Sequence, residues 1–214
     1  MKRILLVSMV LLAAGAADAK EADVKSALIV YGSYAGSTAE IADSMKVALG
    51  RTGVTAYTIP ASGLTVDPSP YDLVVIGSAI HGGRPHPKVG EFIAANRAEL
   101  GRKKVAVFAA CITITSVKED RRRAAQAYPG LVAHGLLPVS TAVFAGKAPP
   151  SGWFGNLMGK LVLGITPGDY RDWKKAEDWG LARDTSHISE RCQGATRLHR
   201  DVPFARFRFP VDNP

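Results

Sequence analysis

The chain has 214 residues, enough for one domain with a substantial core. Its 47% hydrophobic and 21% charged residues exclude a disordered chain, and its two cysteines exclude a disulfide-built scaffold. A net charge of +8 favours an anionic partner, but the tightest basic cluster, Arg121-Arg122-Arg123, lacks the interleaved aromatics of a nucleic-acid surface. It reads as a solvated helix face, and no nucleic-acid partner is expected.

The N-terminus reads as a targeting segment. Lys2 and Arg3 precede an apolar run from Ile4 to Ala17, and Ala17-Asp18-Ala19 is a small-x-small pattern before Lys20. The run is shorter than the ~20 residues of a membrane span. Residues 1–19 are expected to be a cleaved signal peptide, with export to a periplasmic or membrane-associated location. Next come an apolar strand (Ala27 to Tyr31), a loop of small and hydroxyl residues (Gly32 to Thr38) and an amphipathic helix. Ile41, Met45, Ala48 and Leu49 give that helix one apolar face, and Gly53 ends it. Ser37 and Glu40 stand in capping-box spacing.

A loop between a strand and a helix N-terminus suits an anionic phosphate. Backbone N–H groups converge there, the helix dipole favours negative charge, and hydroxyls add donors. The loop has neither the lysine of a Walker motif nor the three glycines of a dinucleotide fingerprint. Its donors are neutral, which suits a permanently bound monophosphate.

Thr55 to Ile59 reads as a short strand, and Pro60 to Pro70 as a loop. Tyr71 to Gly77 is a near-continuous apolar strand of the kind buried on both faces of a parallel sheet. The loop Ser78-Ala79-Ile80-His81-Gly82-Gly83 follows; its glycines allow close backbone approach to a flat ring. His86 to Leu100 is helical, with Val89, Phe92, Ile93 and Leu100 inward. Val105 to Ala110 is a buried strand, and Cys111-Ile112-Thr113-Ile114-Thr115-Ser116 is a third loop with backbone amides to offer. Val117 to His134 is helical with a break near Pro129, and Val139 to Ala145 is a fifth strand. An insert over 146–170 follows. In it Trp153, Phe154, Leu157, Met158, Leu161, Val162 and Ile165 form one apolar helix face, fit either for core or for a membrane surface. Arg171 to Arg183 is a last helix with Trp173, Ala176, Trp179 and Gly180 along it, and 185–214 is a tail. Strand and helix alternate, so the fold class is doubly wound α/β over 26–184, with ligands expected beyond the carboxyl ends of the strands. The loops after Tyr31, Gly77 and Ala110 should converge. A Cys111–Cys192 disulfide is open from sequence, with two separate thiols favoured. His81, His86, His134, His187 and His199 show no metal-ligand spacing.

The segment Ser33-Tyr34-Ala35-Gly36-Ser37-Thr38 resembles the flavin mononucleotide (FMN) phosphate loop of flavodoxins, Ser/Thr-x-Thr-Gly-x-Thr, with Ala35 where a threonine is usual. That resemblance implies a five-stranded parallel sheet in the order 2-1-3-4-5 with helices on both faces. It also implies FMN as cofactor, with its phosphate on Ser33 to Thr38. The ring would lie by Ser78, Ala79, Ile80, His81, Gly82 and Gly83 and by Cys111, Ile112 and Thr113. The stretches Asp72 to His86, Val89 to Ile93, Ala142 to Gly146 and Leu157 to Asp169 are similar to the menaquinone-dependent protoporphyrinogen oxidase branch. That branch implies an oxidoreductase passing electrons from an apolar donor to a quinone, at the cytoplasmic face of a membrane. Two alternatives stand beside it: an exported flavodoxin-like electron carrier or quinone reductase, and a non-catalytic module that has lost FMN. No side chain is singled out as catalytic, and the absence of aromatics in the second and third loops leaves one ring face open.

The leader is the part of this reading that a mass decides. The chain isolated from its native host should begin at Lys20; an intact Met1 on soluble cytoplasmic protein would overturn the expectation.

Overall fold

A computed structural model of the chain describes residues 24–61, 66–148, 160–161 and 164–181. The expected leader, most of the insert's apolar face, Cys192 and the tail lie outside the described residues. Five strands form the parallel sheet: β1 (Ser26–Gly32), β2 (Thr55–Pro60), β3 (Leu73–His81), β5 (Lys104–Ala110) and β6 (Ser140–Phe144). They lie in the order β2-β1-β3-β5-β6, the 2-1-3-4-5 arrangement of a doubly wound sheet. The short strand β4 (Arg84–Pro85) folds back antiparallel on the end of β3. A separate two-stranded ribbon pairs β7 (Lys147–Ala148) with β8 (Gly168–Asp169).

Side chains alternate along each central strand, so both sheet faces are apolar. One face carries Leu28, Val30, Val74, Ile76, Val105 and Val107. It is covered by α2 (Pro87–Ala95), α3 (Arg97–Leu100) and α5 (Tyr128–Val132) through Val89, Phe92, Ile93, Leu100 and Val132. The inward set expected for the second helix is therefore the buried one, although Asn96 breaks that helix in two. The opposite face carries Ile29, Val75, Ala106 and Phe108, under α1 (Ser37–Arg51) and α6 (Trp173–Leu181). Ile41, Met45 and Leu49 of α1 and Ala176 of α6 complete it. The helix predicted over 117–134 is shorter: α4 (Glu119–Gln126) gives way to α5 at Ala127, one residue before the turn that holds Pro129.

An aromatic triad fastens α6 to the sheet. Phe108, Phe144 and Trp179 meet edge to face with centroids 5.7, 5.8 and 6.1 Å apart. The Trp179 indole N–H donates to Ser140 Oγ at 3.0 Å, which anchors the ring's polar end to β6. Phe108 lies flat under Gly77 of the neighbouring strand. A Cβ at Gly77 would stand 2.1 Å from Phe108 Cζ. The apolar run of β3 therefore contains a glycine because the ring beneath occupies the side-chain space.

Gly77→Ala should overpack this site and destabilise the protein by about 3 kcal/mol or more. Gly50 in α1 has nothing within 4 Å of its Cβ position. Gly50→Ala should stabilise by about 1 kcal/mol through helix propensity. Thermal melts of the two variants should move in opposite directions; equal shifts would remove the packing argument.

Candidate functional site

The turn from β1 into α1 is built around one hydroxyl and one glycine. Ser33 Oγ accepts the Gly36 N–H at 3.0 Å, closing a tight local turn. Gly36 then adopts the left-handed conformation (φ 84°) and is the helix N-cap. This corrects the expected capping box: Ser37 is the first helical residue, and no side chain caps the helix. The ladder starts with the Glu40 N–H donating to the Gly36 carbonyl at 3.1 Å. The N–H groups of Ser37, Thr38 and Ala39 therefore precede any intrahelical acceptor. Thr38 is completely buried, and its hydroxyl has no hydrogen-bond partner. A buried unpaired hydroxyl costs free energy, and this one lies in the first turn of the helix, among the N–H groups that have no intrahelical acceptor.

The Glu40 carboxylate lies near the cap but makes no bond to it, because two cations reach it. The Arg171 guanidinium pairs with one carboxylate oxygen, and Lys147 Nζ lies 3.1 Å from the other. Arg171 is 5% exposed at its side chain, also pairs with Asp169, and stacks 4.3 Å over the Trp173 ring. Two cations on the carboxylate outweigh its single bond back to the cap N–H. The Arg171 and then the Lys147 hydrogen bonds hold the Glu40 carboxyl below its usual range. The Arg171 hydrogen bond pulls Asp169 down to about 2. The cluster ties the β7–β8 ribbon to the first turn of α1.

The second predicted loop is mostly strand. β3 continues through Ser78, Ala79, Ile80 and His81, and only Gly82 and Gly83 form the turn, with φ 56° and 78°. Two positive φ values are what a two-residue hairpin turn requires, and these glycines supply them. Ser78 is buried and its hydroxyl is committed: it accepts the His86 N–H at 2.8 Å and donates to the Ala79 carbonyl at 3.0 Å. The hairpin brings two imidazoles to the first loop. The Tyr34 ring lies 4.5 Å from the His86 ring and 5.5 Å from the His81 ring, centroid to centroid. Tyr34 itself is 56% exposed. His86 Nδ1 is buried without a partner.

The third loop is a 3-10 turn over Ile112–Thr115. The Cys111 N–H donates to the Phe144 carbonyl at 2.9 Å. Burial pushes the Cys111 thiol up to about 11, with the nearby backbone N–H groups of Ile114 and Thr113 opposing that shift. Tyr128 of α5 bridges the loops: its hydroxyl is 3.9 Å from the Cβ position of Gly83, and its pKa is raised by burial first and by nearby Cys111 second. The expected convergence of the three loops is present at the carboxyl edge of the sheet. Among the described residues no group of three or more His, Cys, Asp or Glu is placed to hold a metal.

A family model described as "Flavodoxin domain" matches residues 28–166. The chain belongs to the flavodoxin domain family. No curated protein matches it. Among solved structures it is similar to a two-electron reduced flavodoxin of Megasphaera elsdenii (18% identity, TM-score 0.49), covering 73% of this chain and 96% of that one. An oxidised Flavodoxin 2 from Bacillus cereus matches at 22% identity and TM-score 0.49, over 73% of this chain and 96% of that one. A flavoprotein in complex with FMN from Lactobacillus acidophilus matches at 19% identity and TM-score 0.41, over 56% of this chain and 93% of that one.

Several residues of this flavodoxin domain carry more than their sequence context announces. Tyr34 figures in the loop motif for its backbone; in the fold it supplies the aromatic ring that the second and third loops lack. Lys147 and Arg171 lie 107 and 131 residues from Glu40 in sequence, so no local pattern connects them.

The clamp has a pH signature. Glu40 and Asp169 both have depressed folded-state pKa values. Their contribution is present above the unfolded carboxylate range, about pH 4, and is lost as pH falls through the lower folded values. Arg171→Met should lower the melting temperature at neutral pH and flatten its decline between about pH 5 and pH 2. An unchanged acid limb in that variant would show that the clamp does not contribute to stability.

Proposed function

We propose that this flavodoxin domain binds FMN at the N-terminus of α1 and acts as an oxidoreductase. The observation that carries the reading is the fully buried, unpartnered Thr38 hydroxyl in the first turn of that helix. The loop fits a phosphate monoester. The Thr38 hydroxyl, the Ser37 hydroxyl and the first free N–H groups of α1 are donors of the right kind. Ser33 Oγ, already accepting from Gly36, keeps its proton to donate. FMN, when bound, supplies reversible one- and two-electron chemistry; the protein holds and orients it and adjusts its surroundings.

The side chains divide the remaining work. Tyr34, His81 and His86 form one wall at the ends of β1 and β3, and the Cys111–Thr113 turn forms the other. Cys111 stays a thiol at neutral pH, since burial raises its pKa, and so adds no negative charge beside a ring that gains electrons. Beyond the third loop two apolar side chains stand exposed among charged ones. Val117 is 71% exposed and Leu161 is 60% exposed. Gly164 packs on the Val117 side chain, and Lys118 Nζ lies 3.5 Å from the Leu161 carbonyl. This end of the insert thus sits beside the loop that would border the ring. It supports the finer reading: electrons pass from an apolar donor to a quinone, at a membrane surface that the net positive charge favours. An exported electron carrier with the same cofactor is the alternative.

A flavin titration followed by absorption and fluorescence tests both levels. The protein should bind FMN, and Thr38→Val should weaken binding about tenfold, the loss of one hydrogen bond to a charged acceptor. The same substitution should leave the melting temperature of flavin-free protein unchanged or raised, because the hydroxyl has no protein partner to lose. Unaltered affinity in Thr38→Val would sink the phosphate assignment. Reduced holoprotein should then be reoxidised faster by a detergent-solubilised menaquinone analogue than by a soluble carrier protein; the reverse order favours the electron carrier.

A further inference from the structure

The loop between β1 and α1 has no basic residue, yet the fold brings a cation to it from the far end of the chain. Three distances place that cation. A Cβ at Gly36, the N-cap, would lie 4.0 Å from Glu40 Oε1. Lys147 Nζ is 3.1 Å from that same oxygen. A Cβ at Gly146, the residue before Lys147, would lie 3.3 Å from Ser37 Oγ. The β6–β7 connection therefore lies against the loop, and the ammonium stands beside the N-cap.

The electrostatics require such a group. Glu40 puts a full negative charge in the first turn of α1, beside the place a phosphate dianion would occupy. Arg171 shares its charge between two carboxylates, Glu40 and Asp169, stacks on Trp173, and has a side chain that is almost wholly buried. Lys147 is in a different position. Its side chain is 41% exposed, it meets the Glu40 oxygen that Arg171 leaves free, and its backbone is fixed by register with Asp169 in the ribbon. It can leave Glu40 without leaving a buried charge unpaired, which Arg171 cannot.

We propose that Lys147 is a phosphate ligand of this site, turning its ammonium from Glu40 toward the phosphate monoester while Arg171 keeps its own bond to Glu40. This rests on the FMN reading above and adds to it a cationic ligand from the β7–β8 ribbon. The phosphate would close that ribbon onto the loop, so the site would be complete only with the segment after β6 in place.

Titrations with FMN and with riboflavin, which lacks the phosphate, separate the possibilities. Wild-type protein should prefer FMN, and the preference should shrink as salt is raised. Lys147→Met should weaken FMN binding about tenfold, leave riboflavin binding unchanged, and remove most of the salt dependence. Lys147→Arg should restore most of the FMN affinity. If wild type binds FMN but Lys147→Met matches it in affinity and salt dependence, Lys147 is only a partner of Glu40 and the proposal fails while the FMN reading stands. If wild type binds neither flavin, both fall. A loss of riboflavin affinity equal to that of FMN would also overturn the phosphate role.

Discussion

A parallel sheet delivers the carboxyl end of every strand to one edge, and that constraint organises this molecule. β1, β3 and β5 run side by side, buried on both faces, so the residues that follow them emerge together at one edge. The chain leaves β1 toward one face of the sheet, into α1. It leaves β3 toward the other, through a hairpin into α2. The crevice at that divergence follows from the strand order. What the individual residues add is its lining: a left-handed glycine, a buried hydroxyl, an exposed tyrosine ring and two imidazoles.

The helix that faces the crevice is held from both ends of the sequence. Its inner side packs on β1 and β2, and its outer flank meets α6 and the β7–β8 ribbon. Arg51 pairs with Glu177 of α6 at 2.7 Å near one end. Glu40 pairs with Arg171 and Lys147 near the other. The first pair is exposed and worth little by itself. The second is different because Arg171 is buried between two carboxylates and an indole ring. Removing the carboxylates there leaves the buried guanidinium unpaired, so the cluster fixes where the ribbon sits even if its net contribution to stability is small.

The architecture was largely legible in the residues. Continuous apolar runs such as Leu73 to Ile76 can only be central parallel strands, and the i, i+4, i+7 spacing from Ile41 marks the buried side of α1. The hydroxyl-rich loop was legible too, because a helix N-terminus after a strand leaves few chemical options. Two local readings failed for identifiable reasons. Ser37 and Glu40 have capping-box spacing, but spacing carries no information about Arg171, which outcompetes the cap. Ser78 to His81 read as loop because the apolar run stops at Gly77; the strand continues because Ala79 still pairs with Ala110, and Ile80 with Pro85. Backbone pairing needs no apolar side chain, so the pattern ended before the strand did.

The same distinction bears on how the site is assembled. Its neutral part is local: Ser33, Gly36, Ser37 and Thr38 lie within one turn and fold with β1 and α1. Its charged part is non-local: Lys147 reaches Glu40 from the β7–β8 ribbon, and Arg171 from just beyond it. A phosphate loop complete in itself would be indifferent to that segment. This one has an uncompensated carboxylate, Glu40, until the ribbon arrives, and a negative charge at that distance opposes a dianion. On the proposed phosphate role, anion affinity at α1 is coupled to the docking of the segment after β6, the same segment whose Gly164 packs on Val117 of the third loop.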